Sequence, residues 1–334
     1  MGITEDNVVR VLVTGATGLL GNNVVRMLLE HGQQVRVMVR DSRANRSLAK
    51  LDIEIVQGDV KDEESVKTAM LGADAVIHSA AMVHIGWTKE KLMQPTNVEG
   101  TRIVGEAALK QKIRMVHVSS VDALGIGQED APANEETPRE GKIPCPYVLT
   151  KRAAEEELQK LIANGLHAVI VNPGLMFGPW DWKPSSGRML ISVVKKQPPL
   201  APRGGGTTCD VRDVALGCIN AIGHGRVGEN YILGGENISY FDLWTRIANM
   251  TGRRPPWRRM GPFISMMVGM FGDTWATMEG KEGEVNSAAL RIAGQFHYYS
   301  SDKAKAELGY NNRPLDQTLE DAWHWFRKHG YLPL

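Results

Sequence analysis

The sequence is poor in cysteine, and this shortage limits the classes of protein that it can encode. Its 334 residues contain three cysteines, which form no CxxC pair and no even-numbered framework. A secreted domain held together by disulfides is therefore not expected, nor is a cysteine-ligated zinc site, and the sequence predicts no metal. Unpaired thiols of this kind are typical of the reducing cytoplasm, which is the localisation that we expect.

Long apolar runs and an excess of one charge are also missing. The longest apolar candidate, residues 263–271, falls well short of the roughly 18 residues that a membrane-spanning helix needs. The N-terminus places acidic residues before a short apolar run, so we do not expect a signal peptide. The 39 basic and 38 acidic residues give a net charge of +1, which argues against a general nucleic-acid binder. We expect a small-molecule substrate instead.

What the sequence does contain is a regular alternation of strand and helix patterns. Six apolar or β-branched runs predict strands at residues 8–13, 35–39, 53–56, 75–78, 115–118 and 168–171. Helix-compatible stretches separate them, among them residues 19–30, 62–70, 100–111 and 153–163. This alternation is typical of an α/β fold, a Rossmann-type doubly wound parallel sheet with right-handed crossovers.

The alternation ends near residue 173, where glycine and proline become frequent. Helical patterns continue near residues 211–222, 239–251 and 301–308, but long irregular segments separate them. We therefore predict a dinucleotide-binding domain with the catalytic residues at 1–175. Residues 176–334 are predicted to form mainly a smaller C-terminal substrate-binding lobe, partly interleaved with the sheet domain.

A glycine-rich turn joins the first predicted strand to the first predicted helix. Residues 14–21 read TGATGLLG, so that Gly15, Gly18 and Gly21 are spaced three apart. Gly15 permits the tight turn, Gly18 lets backbone N–H groups approach a pyrophosphate, and Gly21 lets the helix pack on the sheet. The flanking strand and helix favour a dinucleotide site over the alternative, an ordinary tight turn.

The end of the second strand distinguishes the two nicotinamide dinucleotides. A carboxylate there binds the adenosine ribose hydroxyls of NAD, whereas an arginine accepts the 2′-phosphate of NADP. Arg40 follows the strand directly, with Arg43 and Arg46 close behind, and Asp41 stands one residue late. The sequence thus favours NADP(H), with NAD(H) as the alternative.

Two YxxxK motifs are present, and their context separates them. In the first, Tyr147 and Lys151 lie one helical turn apart on the same face. This motif follows the fifth strand, near the carboxyl edge of the sheet, where ligands bind in this kind of fold. The second, Tyr299 and Lys303, lies far downstream, and we interpret it as the start of a surface helix.

Hydroxyl side chains end the fifth strand at the same edge, where Ser119 and Ser120 follow it. A hydroxyl there can hydrogen-bond a substrate carbonyl oxygen while Tyr147 delivers a proton and a nicotinamide delivers hydride. A fixed lysine cation such as Lys151, together with a bound nicotinamide, would stabilise the phenolate form of Tyr147. The joint pattern is more specific than any of its parts.

Taken in order along the chain, these features resemble the extended short-chain dehydrogenase/reductase superfamily, the NAD-dependent epimerase/dehydratase superfamily. The resemblance extends over nearly the whole chain. It rests on the glycine turn, Asp59, residues 78–81 (HSAA), residues 97–101 (NVEGT), Ser119-Ser120, Tyr147 with Lys151, and residues 172–174 (NPG). Residues 37–40 (VMVR), 231–237 (YILGGEN) and 301–310 are most similar to the dihydroflavonol-4-reductase-like and hopanoid-associated sugar epimerase groups.

The resemblance implies roles for individual residues. Ser120, Tyr147 and Lys151 would form the catalytic triad. The cofactor would be held by Gly15, Thr17, Gly18, Leu19, Arg40, Arg43, Asp59, Val60, Ala80, Ala81, Asn97, Ser119, Tyr147, Lys151, Pro173, Gly174 and Met176. Asp59 would meet the adenine and residues 173–176 the nicotinamide carboxamide. The resemblance also implies a homodimer formed through helices that flank the sheet.

The loops after the fourth to sixth strands are expected to line the substrate pocket. They offer aromatic, thioether and polar side chains that suit an apolar or ring-shaped ketone: Met82, His84, Trp87, Asp122, Met176, Trp180 and Trp182. The alternative is that these residues cover the interface between the two lobes, with His84 as a hydrogen-bonded loop residue.

A basic segment precedes the apolar run in the C-terminal part. Residues 253–259 read RRPPWRR and are followed by the apolar residues 263–271. This combination of arginine, tryptophan and apolar residues is compatible with peripheral contact with an anionic membrane surface. A pocket lid and a core helix are the alternatives.

Three functions are compatible with these patterns. The first is an NADP(H)-dependent oxidoreductase that reduces a ketone or aldehyde, or oxidises the matching secondary alcohol. The second is a nucleotide-sugar epimerase or dehydratase that keeps its cofactor bound, which the triad alone does not exclude. The third is a non-catalytic dinucleotide-sensing module, and the joint presence of Ser120, Tyr147 and Lys151 counts against it.

Overall fold

The computed structural model describes residues 9–41 and 46–333, and a parallel sheet lies at the centre of their fold. Its strands are β1 (Arg10–Thr14), β2 (Gln34–Val39), β3 (Glu54–Gln57), β4 (Ala75–His78), β5 (Arg114–Val118), β6 (Ala168–Pro173) and β10 (Asn230–Leu233). They are ordered β3-β2-β1-β4-β5-β6-β10, and each neighbouring pair is parallel. The order reverses between β1 and β4, so the predicted doubly wound Rossmann-type sheet is confirmed.

Helices connect these strands and continue into the C-terminal lobe. They are α1 (Leu19–Glu30), α2 (Glu63–Met70), α3 (Glu90–Gln94), α4 (Gly100–Gln111), α5 (Pro146–Ala163), α6 (Gly187–Lys196), α7 (Val211–His224), α8 (Tyr240–Met250), α9 (Pro262–Glu279), α10 (Ser287–Ala293), α11 (Asp302–Leu308) and α12 (Leu315–Lys328). A π-helical turn, Pro95–Glu99, joins α3 to α4, and a 3₁₀ turn, Val121–Ala123, follows β5.

Alternating residues of the sheet strands produce two apolar layers. In β1, Val11 and Val13 pack with α1 and α7 on one face, whereas Leu12 packs with α2, α4 and α5 on the other. Both faces of the parallel strands are therefore covered except at the edge strand β3, whose residues are mostly exposed. This explains why the other strands appear in the sequence as largely apolar runs. The carboxyl ends of all these strands meet at one edge of the sheet.

The C-terminal lobe has a small sheet and an apolar core of its own. Strand β9 (Gly205–Asp210) pairs antiparallel with β11 (Glu236–Ser239) and parallel with β13 (Phe296–His297) and β7 (Leu175–Phe177). Strands β8 (Leu200–Ala201) and β12 (Arg258–Arg259) form a separate parallel pair. Leu190, Leu243 and Phe326, from α6, α8 and α12, are among the core residues of this lobe.

The chain enters the lobe and then returns to the central sheet. Helix α7 packs against α1, and β10 pairs with β6 at the edge of the sheet, although both follow residue 175. Sequence patterns do not predict β10, because it follows the glycine- and proline-rich region after residue 173, where strands and helices no longer alternate regularly. The sheet layer thus includes residues from both halves of the chain.

Helix α9 contains the apolar run 263–271 of the sequence analysis. Gly269 is the buried residue of this helix, and its large side chains face outward, so the core-helix interpretation is wrong. Within residues 9–41 and 46–333, no helix combines the length and the apolarity needed to cross a bilayer.

Candidate active site

The glycine turn forms a tight cradle between β1 and α1. Gly15 has a φ of 72°, in the left-handed region, and a Cβ on it would lie 2.6 Å from the Ala80 nitrogen. A Cβ on Gly21 would lie 2.3 Å from the Gly15 carbonyl oxygen. Larger side chains are therefore excluded at both positions, and the turn, α1 and the segment after β4 pack against one another.

The N-terminus of α1 is open at this cradle. Gly18 is the exposed N-cap of the helix, no side chain caps it, and its first turn contains no acidic residue. Thr17 is half-buried beside it and Leu19 is buried. The uncapped N–H groups and the positive end of the helix dipole favour a bound phosphate. These residues therefore fit the pyrophosphate of a dinucleotide.

The carboxyl end of β2 is the place where NAD and NADP are distinguished. Arg40 directly follows β2 and is exposed, and its carbonyl oxygen accepts a hydrogen bond from Gln57 Nε2 (3.3 Å). Arg46 instead packs on an aromatic ring, with its guanidinium carbon 4.7 Å from the centroid of the Trp182 ring. Arg43, predicted to bind the cofactor, lies outside the described residues.

The residues after β3 form the next side of the predicted adenosine region. Asp59 accepts a hydrogen bond from the Lys61 N–H (3.1 Å), and its side chain is 31% exposed. Val60 is buried, and a Cβ on Gly100 would lie 2.8 Å from its Cγ2 atom. Asp59 is thus accessible to a ligand, whereas Val60 packs beneath α4.

The segment after β4 is held in place from two sides. Ala80 and Ala81 are half-buried there. Asn97, in the π-helical turn, accepts a hydrogen bond from the Met82 N–H (2.7 Å) and donates to the Met82 carbonyl oxygen (3.0 Å) and to Thr150 Oγ1 (3.2 Å). Asn97 therefore links this segment to α5, and π-helical turns are frequent at functional sites.

The three predicted catalytic side chains meet at the carboxyl end of β5. Tyr147 and Lys151 lie one turn apart in α5, a helix that starts at Pro146, where the missing N–H has no consequence. Lys151 Nζ donates a hydrogen bond to the carbonyl oxygen of Val118, the last residue of β5 (2.9 Å). The Ser120 hydroxyl is near enough to the Tyr147 phenol to lower its pKa, and all three side chains are buried.

Burial sets the protonation states of this trio. It raises the pKa of Tyr147 above the ordinary value of about 10, Asp122 raises it further, and the nearby Ser120 hydroxyl acts in the opposite direction. Burial lowers the pKa of Lys151 to about 8, and the carboxylate of Glu155 opposes that shift. At neutral pH Tyr147 is therefore a phenol with a proton to donate, and Lys151 is mainly a cation.

A buried hydroxyl without a partner lies beside the trio. Among the described residues, the Ser119 Oγ atom has no hydrogen-bond partner, so a ligand can satisfy it. The neighbouring strand fixes the backbone here, because Asn172 Nδ2 donates to the carbonyl oxygen of Ser120 (3.0 Å). Buried polar groups of this kind fit a bound cofactor at the sheet edge.

The end of β6 and the start of β7 border the same edge. Pro173 ends β6, and a Cβ on Gly174 would lie 2.5 Å from the Thr207 carbonyl oxygen, so β9 approaches this backbone closely. Met176 lies in β7, paired in register with Cys209 of β9. The predicted nicotinamide segment 173–176 is therefore the point where the central sheet continues into the lobe.

Two ionisable residues that sequence patterns did not identify lie behind Ser120. Lys142 Nζ donates hydrogen bonds to Asp122 Oδ1 (3.2 Å) and to His297 Nδ1 (2.7 Å), and the Ser120 hydroxyl donates to Asp122 Oδ2 (3.4 Å). His297 Nε2 lies 3.1 Å from the Ile292 carbonyl oxygen, so we assign its proton to Nε2. Asp122, predicted as a substrate residue, is thus already paired with a buried lysine.

Charge interactions define this network. Burial raises the pKa of Asp122, but the Lys142 cation and the hydrogen bonds from Lys142 and Ser120 help to outweigh it, so that the pKa lies below its usual value. Burial lowers the pKa of His297 to about 4, which leaves its ring neutral. No local spacing could reveal the network, because Lys142 lies in an irregular loop and His297 follows 155 residues later.

The interpretation of the second YxxxK motif, Tyr299 and Lys303, as the start of a surface helix is wrong. Tyr299 is 2% exposed and precedes α11, which begins at Asp302, so it does not start a surface helix. Its hydroxyl donates to the carbonyl oxygens of Val121 (3.1 Å) and Gly125 (2.7 Å), and Lys142 Nζ lies 5.2 Å from its ring centroid. Tyr299 thus braces the turn after β5 and does not reach the sheet edge as a proton donor.

Apolar side chains pack around Tyr147 on the lobe side. Met82, a predicted substrate residue, belongs to this cluster, which also includes Ile85, Met93, Cys145, Val148, Ala288 and Ile292. Ala288 and Ile292 come from α10, and the others from the segment after β4, α3 and the start of α5. The surroundings of the phenol are therefore apolar, which excludes water from it and accounts for its raised pKa.

A buried glutamate connects the segment after β4 to the connection between α9 and α10. The Glu282 carboxylate, 3% exposed, accepts hydrogen bonds from His84 Nε2, the Trp87 N–H and the Thr88 hydroxyl, each 2.7 Å long. Trp87 Nε1 donates to Ser287 Oγ (2.8 Å). Burial raises the pKa of Glu282, but these hydrogen bonds outweigh it and lower the pKa to about 2.

Two other predicted pocket residues are half-buried and pack against the core of the lobe. The Trp180 ring lies 3.4 Å from the guanidinium carbon of Arg26 on α1. Trp182 meets Trp325 edge-on, with ring centroids 5.0 Å apart. Both tryptophans pack against α12 and belong to a different cluster from the one around Tyr147. Both tryptophans were predicted to line the pocket because they follow the sixth predicted strand. The loop after β7 instead turns toward α1.

Cysteine and acidic residues do not assemble a metal site in the described ranges. No group of three or more histidine, cysteine, aspartate or glutamate side chains there is arranged to hold an ion. Cys145, Cys209 and Cys218 are buried free thiols, and burial raises the pKa of each. They therefore behave as small apolar core residues.

The sequence matches a known family model across the sheet. The NAD dependent epimerase/dehydratase family model covers residues 11–234, from β1 through β10. The chain belongs to this family. The assignment confirms the resemblance to extended short-chain dehydrogenases/reductases, and it identifies the protein as an enzyme of an NAD-dependent class.

Individual relatives extend the similarity over nearly the whole chain. A Synechocystis protein named provisionally as a dihydroflavonol 4-reductase is 35% identical over 329 residues, 96% of this chain and 95% of the relative. The sterol demethylase protein B of Methylococcus capsulatus is 29% identical over 325 residues, covering 96% of this chain and 99% of the relative. The crystal structure of gox2253 has a TM-score of 0.85 and 36% identity, covering 98% of this chain and all of that one.

Proposed function

We propose that the protein is an NADP(H)-dependent oxidoreductase that reduces a ketone or aldehyde, or oxidises the matching secondary alcohol. The observation that carries the proposal is the meeting of Ser120, Tyr147 and Lys151 at the carboxyl end of β5, on the same sheet edge as the glycine cradle. A reductase name for the Synechocystis relative, similar over 96% of this chain, supports the same chemistry.

The residues of the trio divide the reaction between them. A bound nicotinamide supplies the hydride in reduction and accepts it in oxidation. Tyr147, which its raised pKa keeps protonated, donates its hydroxyl proton to the substrate oxygen. When substrate binds, the Ser120 hydroxyl turns its single proton from Asp122 Oδ2 to the same oxygen and stabilises its developing negative charge. The Lys151 cation stabilises the phenolate that Tyr147 becomes.

The proposal includes a preference for NADPH over NADH. Arg40 is exposed at the end of β2, where a guanidinium can form paired hydrogen bonds to a 2′-phosphate. We expect Arg40→Ala to lower kcat/KM for NADPH by about tenfold or more, roughly the value of one charge-assisted contact, and to leave kcat/KM for NADH nearly unchanged. A wild-type enzyme that uses NADH more efficiently than NADPH contradicts this preference.

The substrate class follows from the side chains near Tyr147. They are apolar or thioether groups from the segment after β4 and from α10, and they favour an apolar or ring-shaped carbonyl compound. The name of the Methylococcus relative, sterol demethylase protein B, supports a lipophilic ring system.

The direct test is a panel of ketones and aldehydes with NADPH oxidation as the readout. Turnover of apolar cyclic ketones, lost in Tyr147→Phe, is the expected result. Cofactor that copurifies and shows no net NADPH turnover, together with isomerisation of a nucleotide-sugar, would instead identify an epimerase or dehydratase. Unchanged activity in Tyr147→Phe would favour a sensing module with a contaminating activity.

A further inference from the structure

Helix α9 carries its large apolar side chains on its outer face. Seven residues at the spacing of three and four that defines one helix face are 50–77% exposed: Phe263, Met266, Met267, Met270, Phe271, Trp275 and Met278. We refer to these seven residues as the α9 stripe. Soluble monomers seldom leave so many adjacent large apolar side chains in water, and such patches mark contact surfaces.

The face that α9 turns toward the protein is formed mainly by small residues, Gly269, Gly272 and Ala276 among them, with Ile264 and Val268 half-buried beside them. A Cβ on Gly269 would lie 2.9 Å from Ser287 Cα, and a Cβ on Gly272 would lie 2.1 Å from the Val285 carbonyl oxygen. Asp273 accepts a hydrogen bond from the Ser287 N–H (3.0 Å). These close contacts leave no room for the stripe to rotate inward. The largest apolar side chains of α9 thus lie on its outer face, whereas a helix packed on a soluble core turns them inward.

Positive charge stands directly before the stripe. Arg253, Arg254, Arg258 and Arg259 are all exposed, and Arg259 approaches Asp242 at 3.8 Å. Trp257 between them is 66% exposed, with the Arg258 guanidinium carbon 4.7 Å from its ring centroid. We refer to residues 253–259 as the arginine segment. Two residues separate it from the start of α9.

We propose that the α9 stripe and the arginine segment dock the protein on the surface of an anionic membrane. The apolar side chains enter the lipid interface, the arginines bind lipid phosphates, and Trp257 and Trp275 lie at the polar boundary. The charge of the arginine segment decides the occupant. Anionic lipid phosphates complement four arginines, whereas a second copy of this chain would bring the same four arginines to the contact.

The surface connects to the candidate active site through α10. Helix α10 packs beneath α9 and contributes Ala288 and Ile292 to the apolar cluster around Tyr147. Glu282, between α9 and α10, holds the segment after β4 that carries Met82. Docking therefore places the site next to the lipid phase. This consequence rests on the proposed function: a lipophilic carbonyl substrate would reach Tyr147 from the membrane without crossing bulk water.

Vesicle flotation tests the docking surface with the full-length chain. Vesicles of phosphatidylcholine alone are compared with vesicles that also contain phosphatidylglycerol. The variants are Met270→Glu/Phe271→Glu in the stripe and Arg253→Gln/Arg254→Gln in the arginine segment. The matched control is Leu71→Glu, because Leu71 is also an exposed apolar residue (57%) but lies before β4, at the opposite edge of the sheet.

We expect the wild type to bind the anionic vesicles more tightly. The stripe variant should lose about tenfold or more in affinity, because two carboxylates oppose insertion. The arginine variant should lose about fivefold per arginine and its dependence on anionic lipid. Leu71→Glu should bind like the wild type, and far-ultraviolet circular dichroism should show that all variants are folded.

Specific results would overturn the docking proposal. The first is that the wild type does not bind vesicles, and the second is that the stripe variant binds them as tightly as the wild type. The third is that the protein binds no vesicles but forms a dimer in sedimentation velocity, which the stripe substitutions dissociate. Turnover of a water-soluble ketone without vesicles is measured in parallel. An active enzyme that does not bind vesicles overturns the docking surface alone, and a vesicle-binding protein without turnover overturns the proposed function alone.

Discussion

Tyr147 and Tyr299 share the spacing of one local motif, but their neighbours give them different roles. Tyr147 faces Ser120 and the apolar cluster at the sheet edge. The Tyr299 hydroxyl is occupied by two backbone carbonyl oxygens of the turn after β5. The motif in the sequence therefore predicts only which residues can act, and the position of the helix on the sheet decides which one is free to meet a substrate.

This contrast gives a prediction for the two tyrosines. Tyr147→Phe should lower kcat for NADPH-dependent ketone reduction by about 10²–10⁴-fold, the usual contribution of a positioned acid. Tyr299→Phe should keep nearly full kcat per folded molecule but lower the free energy of unfolding by about 1–3 kcal/mol, because it leaves buried carbonyl oxygens unpaired. The measurements are steady-state kinetics and urea denaturation. Equal losses of kcat would contradict these roles.

The pKa of Lys151 predicts a pH dependence. Burial lowers it to about 8, so the ammonium form predominates below that pH and the neutral amine above it. Because the cation stabilises the Tyr147 phenolate formed in reduction, kcat for reduction should fall as the pH rises through about 8. Lys151→Met should have a much lower kcat without this step in its pH profile. A wild-type profile that is flat from pH 7 to about 9 would show that the lysine charge has no such role.

The buried ion pair of Lys142 and Asp122 predicts that a single substitution lowers the free energy of unfolding more than the double substitution does. Lys142→Met leaves a largely buried carboxylate unpaired and should lower the free energy of unfolding by about 3 kcal/mol. Adding Asp122→Asn removes the charge and should recover a large part of that loss. Thermal and urea unfolding of both variants measure the effect. A double variant less stable than Lys142→Met would mean that the pair is not what holds this region.

At the scale of elements, Gly15 in the glycine turn can be compared with Gly32, which has a similar φ but no close backbone neighbour. Gly15 and Gly32 both have positive φ values, 72° and 69°, but only the Gly15 position meets other backbone within 4 Å. Gly32→Ala should therefore lower the free energy of unfolding by about 1 kcal/mol through strain alone. Gly15→Ala should also displace the segment after β4 and weaken NADPH binding by tenfold or more. Fluorescence titration of NADPH distinguishes the two variants.

Elements with a strong local pattern could be predicted, and those that depend on distant partners could not. Helix α1 has helical spacing, and strands β1, β2, β4, β5 and β6 are largely apolar because both faces of the sheet are covered there. Strand β10 is defined by its pairing with β6, and the outward direction of the α9 stripe by the close contact of Gly269 and Gly272 with residues 285–287. Lys142 and His297 likewise meet only in the folded chain.

At the scale of the whole molecule, the sheet and the lobe depend on each other. Strand β10 and helix α7 complete the sheet layer, although they follow the first lobe strand in the chain. A chain cut after residue 175 should therefore be insoluble, even though it contains the glycine turn and the catalytic trio. The matched comparison is a chain cut after residue 238, which retains β10. Equal solubility of the shorter fragment would show that β10 and α7 are dispensable.

The late arrival of β10 also matters while the chain is being made. Nearly 60 residues separate the end of β6 from the start of β10. At about 5–20 residues per second, a ribosome needs about 3–12 s to make that stretch. Throughout this interval β6 is an unprotected edge strand whose free N–H and C=O groups can pair with another nascent chain. Slow translation of residues 174–229 would therefore prolong the exposure of this edge to aggregation.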